Sequence, residues 1–211
     1  MANSEGIDAV LAVKHVSRET QERLAIYHRL LVQWQKQINL VAPSTLDEAW
    51  TRHFADSVQM VELAMDANHV IDLGSGAGFP GLILAICRAD KNDFRLDMVE
   101  SVGKKCAFLR AVVRETGVQN VHVHNGRIEA ILPTLLEPDV ISARALASLD
   151  KLLDMGADQL TQGSAGLFPK GRDYQAEIDA ALKRWDFDCA ITPSRFDAGV
   201  ILRIENLREK A

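Results

Sequence analysis

Leu24, Tyr27, Leu31 and Trp34 recur at steps of three and four residues after Ser17, the spacing of one buried helix face behind a serine that can cap it. Asn39 to Ser44, with Pro43 inside it, breaks that helix. A second is predicted from about Thr45, carrying Trp50, Phe54, Val58 and Val61 on one side. Residues 1–67 therefore read as a small N-terminal helical subdomain. From residue 68 the period changes, and short β-rich runs alternate with helical stretches. Strands are predicted over His69–Leu73, Arg95–Glu100, Val121–Val123, Val140–Ala143, Ser164–Lys170, Asp188–Thr192 and Val200–Glu205. The intervening helices begin at Phe79, Val102, Leu149 and Asp173, and the last ends near Trp185. Such alternation predicts an α/β fold, a mostly parallel sheet with helices on both faces, over residues 68–211. The turn holding Pro193 is too short for a parallel crossover, so the last two strands should form an antiparallel hairpin.

A chain of 211 residues can bury one sizeable core. Its apolar content of 47% and charged content of 25% are ordinary for a globular protein. No apolar run reaches membrane-spanning length, and Met1 to Leu11 lacks a cleavable signal pattern, so a cytoplasmic location without a membrane partner is expected. Cys87, Cys106 and Cys189 are odd in number and far apart, which suggests buried thiols and neither a disulfide frame nor a metal site. A net charge of -5 argues mildly against tight binding to naked RNA, where neutralised phosphates dominate affinity. Basic residues gathered on one face would offset it, and Lys14, Arg18, Arg52, Arg144, Lys170, Arg172 and Arg203 are the candidates.

Val70 to Gly81 reads as a buried strand, a glycine loop and a helix. Gly74, Gly76 and Gly78 can take backbone angles closed to other residues and let a ligand approach the main chain. Pro80 suits a first helical turn, whose unpaired amides point at whatever fills the loop. Two cofactors fit. Gly76-x-Gly78-x-x-Gly81, with Glu100 downstream to hold a ribose, matches the dinucleotide fingerprint. Asp72-x-Gly74-x-Gly76-x-Gly78 is the pattern of S-adenosylmethionine methyltransferases, and seven strands fit their class I, Rossmann-like sheet. An acid beside the loop suits the ammonium of a methionine moiety and repels a diphosphate, so Asp72 tilts the choice towards methyl transfer.

In an open parallel sheet, ligands sit at the carboxyl ends of the strands. Glu100 closes the second strand, either to hold ribose hydroxyls or to cap the helix that follows. Asn125, Gly126, Arg127, Ile128 and Glu129 follow the third and could cover an adenine, or form a plain polar loop. Ser142-Ala143-Arg144-Ala145 ends the fourth, between the places of methyl donor and acceptor; an ion pair of Arg144 with Asp56 or Glu129 is the structural alternative. Lys170-Gly171-Arg172 adds two cations, or merely two solvated charges. Arg52, His53, Asp56 and Ser57 form a polar stripe that either roofs the cleft or cross-links the helical piece to the sheet.

Taken together, Asn39-Leu40, Arg52-His53-x-x-Asp56-Ser57, Asp72 to Gly81, Glu100-Ser101-x-Gly103-Lys104-Lys105, Ser142 to Ala145 and Lys170-Gly171 resemble the bacterial RsmG (GidB) methyltransferases, from about residue 24 onward. That resemblance implies transfer of methyl from S-adenosylmethionine to N7 of a guanine in 16S ribosomal RNA, position 527 in the usual rRNA numbering, free or within a small-subunit particle. It implies cofactor contacts at Gly74, Phe79, Ile128, Glu129 and Arg144. Glu100 stands where many relatives have aspartate, which keeps the carboxylate but moves it by one methylene.

Guanine N7 is a lone-pair nucleophile, so attack on a sulfonium methyl needs no base and no covalent intermediate. The enzyme must supply position. Arg144, Lys170 and His53 are the residues expected to hold the base or its phosphates, with Arg52, Lys170 and Arg172 on RNA. Arg144 should orient through an atom other than N7, which must stay free to react. The runner-up is methyl transfer to a small molecule or protein beneath a helical lid; a nucleotide-dependent oxidoreductase is disfavoured by Asp72.

Overall fold

The computed structural model describes residues 4–196 and 198–210. A short helix α1 (Ser4–Leu11) precedes α2 (Arg18–Gln35). Ser17 caps α2 as its position predicts, its hydroxyl accepting from the Thr20 amide at 3.2 Å. The second amphipathic helix starts later than Thr45. Pro43–Thr45 forms a 3-10 turn, and the helix opens at Trp50 with a π-type turn over Trp50–Ala55, continuing as α3 (Asp56–Val58) and α4 (Met60–Leu63). Wide turns of this kind frequently sit at functional sites, and this one carries Arg52 and His53. Helix α1 had no sequence signal. Its contacts are tertiary: Val10 is fully buried, and a Cβ on Gly6 would stand 2.3 Å from the Trp50 ring.

Seven strands follow, interleaved with helices: β1 (His69–Leu73), α5 (Gly81–Cys87), β2 (Arg95–Glu100), α6 (Gly103–Thr116), β3 (Val121–Asn125), α7 (Ile128–Ile131), β4 (Val140–Ser142), α8 (Leu149–Met155), α9 (Ala157–Thr161), β5 (Ala165–Lys170), α10 (Tyr174–Ala181), β6 (Trp185–Pro193) and β7 (Val200–Glu209). The sheet order is β3-β2-β1-β4-β5-β7-β6. The first five strands in that order run parallel, and β7 is antiparallel to both β5 and β6. The expected fold class and terminal hairpin are therefore present. Two further boundaries move: α10 ends at Ala181 and Trp185, 2% exposed, begins β6, while the last strand runs on past Glu205 to Glu209.

Alternate residues of the central strands serve two apolar clusters, as a pleat requires. Val70, Leu96, Met98 and Leu167 pack with α2, α5, α6 and the other N-terminal helices on one face. Ile71, Leu73, Val99, Ile141 and Phe168 pack with α8 and α10 on the other. Asp72 shares the pleat of Val70 and lies beneath α5, fully buried. Cys106 is buried while Cys87 and Cys189 are half-buried, and all three are free thiols.

Candidate active site

The carboxyl ends of β1, β2, β4 and β5 converge on a cleft with two lobes over the glycine loop. One lobe, about 360 Å³, is lined by Glu100, Val102, Arg127, Ile128, Glu129 and Leu146. The other, about 510 Å³, is lined by Arg52, His53, Asp56, Phe79, Arg144 and Lys170. Gly74, Gly76, Lys105 and Ala145 line both. Ala145 holds φ +53 there, a left-handed conformation costing an alanine about 1–2 kcal/mol, and strain of this kind concentrates at functional sites.

Gly76 has φ +54, and a Cβ added to it would find only the Gly74 carbonyl, at 3.7 Å. The open space is the cradle. Its amide donates to Glu100 Oε2 at 2.9 Å, while Glu100 Oε1 accepts from the Val102 amide at 2.7 Å. Glu100 thus ties the tip of β2 to the glycine loop and to the residue that precedes α6. A carboxylate has about four lone-pair sites, so two amides leave room for a pair of ribose hydroxyls. The cradle and this acid would fit S-adenosylmethionine, and Ile128 and Glu129 line the same lobe. Asn125 is occupied otherwise, its amide donating to the carbonyls of Glu100 and Ser101 at 3.1 and 3.0 Å.

Two expectations about this loop are corrected. Gly78 does not line the cavity wall. Its φ is +93, and a Cβ there would lie 2.5 Å from Leu82 Cδ1 and 2.8 Å from the Tyr27 hydroxyl, so this glycine lets the loop seat on α2 and α5. Tyr27, which reads in sequence as one more member of an apolar stripe, donates its hydroxyl to the Ala77 carbonyl. Asp72 does not line the cavity either. Its Oδ1 accepts from Ser142 Oγ at 2.7 Å, tying β1 to β4. Its Oδ2 is buried without a hydrogen-bond partner among the described residues, against Gly81, where any Cβ would come within 2.9 Å of it. Burial raises its pKa to about 6, the Ser142 hydrogen bond acting in the opposite direction.

In the larger lobe, Phe79 stacks between Tyr27 and His53, at ring distances of 5.1 and 5.3 Å, and the Arg144 guanidinium lies 5.0 Å from its centroid. Arg144 Nη1 is 3.6 Å from Asp56 Oδ2, so the acid that the sequence offered as its partner is present. Arg144 Nη2 lies 3.2 Å from His53 Nδ1, and His53 Nε2 lies 2.9 Å from Thr45 Oγ1, which donates to the Ala42 carbonyl at 2.8 Å. Arginine can only donate, so Nδ1 must accept and the proton of a neutral His53 sits on Nε2. Burial and the charges of Arg144 and Arg52 lower the His53 pKa to about 4, which keeps the ring neutral. Thr45 was not expected at the site, and no local pattern marks it.

Lys170 is not a solvated rim charge. Its side chain is 6% exposed, and Nζ donates to Glu177 Oε2 and the Ala147 carbonyl, each at 2.7 Å. Glu177 also accepts from the Leu149 amide at 2.7 Å, so the pair staples β5 to the start of α8. Arg172 is exposed and Arg52 half-exposed, the latter 3.9 Å from Glu48. Three further candidate cations each have an acid beside them: Lys14 meets Glu62, Arg18 meets Glu22 and Arg203 meets Glu205.

The GidB family model, described as rRNA small subunit methyltransferase G, matches residues 20–196. The chain belongs to that family. It is similar, at 48% identity over 199 residues covering 94% of this chain and 93% of the other, to the ribosomal RNA small subunit methyltransferase G of Brucella anthropi. The namesake in Methylorubrum extorquens is 47% identical over 94% of each chain. Among solved structures, the S-adenosylhomocysteine-bound methyltransferase PaMTH1 of Podospora anserina aligns over 99% of this chain and 97% of its own, with a TM-score of 0.64 and 16% identity, a likeness of fold alone. This family member is an S-adenosylmethionine-dependent rRNA methyltransferase with a class I fold. Among the described residues no helix is long and apolar enough to cross a membrane.

Proposed function

We propose that the enzyme methylates N7 of a guanine in 16S rRNA, the guanine at position 527 that the sequence resemblance implies, in the cytoplasm and within small-subunit particles. The observation that carries this reading is the state of His53. The imidazole of the larger lobe spends its lone pair on Arg144, and Asp56 faces the same guanidinium. The lobe therefore lacks a poised general base, which suits a nucleophile that has no proton to lose. Methylation of a hydroxyl or an ammonium would need one.

S-adenosylmethionine, when bound, supplies an electrophilic methyl on sulfur. The chain supplies position. The glycine cradle and Glu100 hold the donor in the smaller lobe, with Ile128 and Glu129 about its adenine. The described part of the N-terminal helical unit, residues 4–67, roofs the larger lobe through Arg52 and His53. Phe79 and the oriented Arg144 form the surface that receives the purine, with N7 left free. Arg52 and Arg172 meet RNA phosphates at the rim, while Lys170 acts through Glu177 as a positioning residue. The test is to incubate the protein with labelled donor and small-subunit particles lacking the modification, then map the label. We expect it on N7 of one guanine; label on ribose, on protein or on a small molecule would refute the assignment.

A further inference from the structure

The geometry points to Lys105 as a residue that grips a phosphate of the acceptor RNA at the junction of the two lobes, an assignment that rests on the RNA reading above. Lys105 is the third residue of α6 and lines both cavities. The other residues shared by the lobes, Gly74, Gly76 and Ala145, carry nothing beyond a Cβ, so Lys105 supplies the long side chain of the common wall. It is half-buried, and its ammonium makes no hydrogen bond or ion pair with the described residues. Its fellow cations in the larger lobe all have an acid: Arg144 has Asp56 at 3.6 Å, Lys170 has Glu177 at 2.7 Å and Arg52 has Glu48 at 3.9 Å.

The fold does not need this ammonium. A cation in the first turn of a helix opposes the helix dipole, and Lys104 beside it adds to the conflict. It also stands beside the loop that must accept a sulfonium, where like charges repel. An anion at the junction removes both penalties. RNA brings one with every nucleotide, and a protein of net charge -5 depends on local cations to hold it. The carboxylate of the donor is the other source of anionic oxygen, and the two are separable by experiment.

Affinity for unmodified small-subunit RNA would be measured across a salt series for the wild type, Lys105→Ala, Lys105→Glu and Lys105→Arg, with donor binding followed by calorimetry. A phosphate contact predicts that Lys105→Ala flattens the slope of log affinity against log salt by about one. It also predicts about tenfold weaker RNA binding near physiological salt, a larger loss in Lys105→Glu and a slope retained in Lys105→Arg. Donor affinity should stay within about twofold, and the melting temperature of Lys105→Ala should equal or exceed that of the wild type, since an unfavourable first-turn charge is gone. An unchanged salt slope overturns the inference, as does a fall in donor affinity matching the fall for RNA, which would hand the ammonium to the donor's carboxylate. Failure of the wild type to methylate the RNA would sink the substrate reading itself, and is seen before any variant is compared.

Discussion

The two lobes of the cleft are built in different ways. The donor lobe is backbone geometry: a loop of three left-handed glycines and an acid at the tip of the neighbouring strand β2 that accepts two main-chain amides. The acceptor lobe is side-chain geometry. Arg144, His53, Thr45, Lys170 and Glu177 come from three distant segments and form two hydrogen-bonded sets, Arg144 with His53 and Thr45, and Lys170 with Glu177. Backbone geometry follows from contiguous residues, whereas a side-chain lattice depends on how helices dock. The donor lobe should therefore fail by strain and the acceptor lobe by lost orientation.

The largest effect is expected at Gly78. In Gly78→Ala the positive φ and the overlap with Leu82 and Tyr27 add, for a loss of roughly 2–5 kcal/mol in stability together with weaker donor binding. Gly117→Ala is the control: its φ is +66 but nothing lies within 4 Å of the new methyl, so only about 1 kcal/mol should be lost. Equal losses for the two variants in denaturant titrations would mean that the loop adapts and that the contrast between the lobes is overdrawn.

Next in size is the buried acid under the loop. Asp72 has its pKa raised from 3.8 to about 6 by burial. An acid raised in this way stabilises the fold below its ordinary value and loses that contribution as pH climbs through about 6, a difference of about 2–3 kcal/mol. Asp72→Asn removes the dependence, so its melting temperature relative to the wild type should climb between pH 4 and pH 7. His53, lowered to about 4, works with the opposite sign: its contribution is present above 6.5 and fades as pH falls through 4. A relative melting temperature for Asp72→Asn that ignores pH would show that the carboxylate is not desolvated.

The smallest effect tests the acceptor lobe. Thr45→Val deletes the acceptor for the His53 Nε2 proton. One hydrogen bond of about 0.5–1.5 kcal/mol corresponds to a two- to tenfold fall in kcat/KM for RNA. Thr45→Ser should recover the rate, and donor affinity should not change in either variant. Weaker donor binding in Thr45→Val would show that the lobes are not independent.

The same contrast explains what could be read before folding. The alternation of runs announced the sheet and its terminal hairpin because strand and helix periods are local. Gly74, Gly76 and Glu100 were legible because a loop and the tip of the next strand meet in every doubly wound sheet. Asp72 was misjudged: its place beside the loop is a matter of sequence, but the pleat turns it under α5, away from the cavity. Lys170 was misjudged because Glu177 and the Ala147 carbonyl reach it only after α8 and α10 dock. Thr45 and α1 left no trace, since a threonine in a turn and a short helix under Trp50 gain their meaning from contacts across the chain.

What the bare chain settles is whatever depends on neighbours in sequence: the periods of its elements, the handedness open to its glycines, the order of its motifs and the family they mark. What waits for the assembled molecule is the pairing of charges. Electrostatic and hydrogen-bonded partners are selected by ångström-scale proximity in a dry interior, and that proximity arises from helix docking, which no run of consecutive residues encodes.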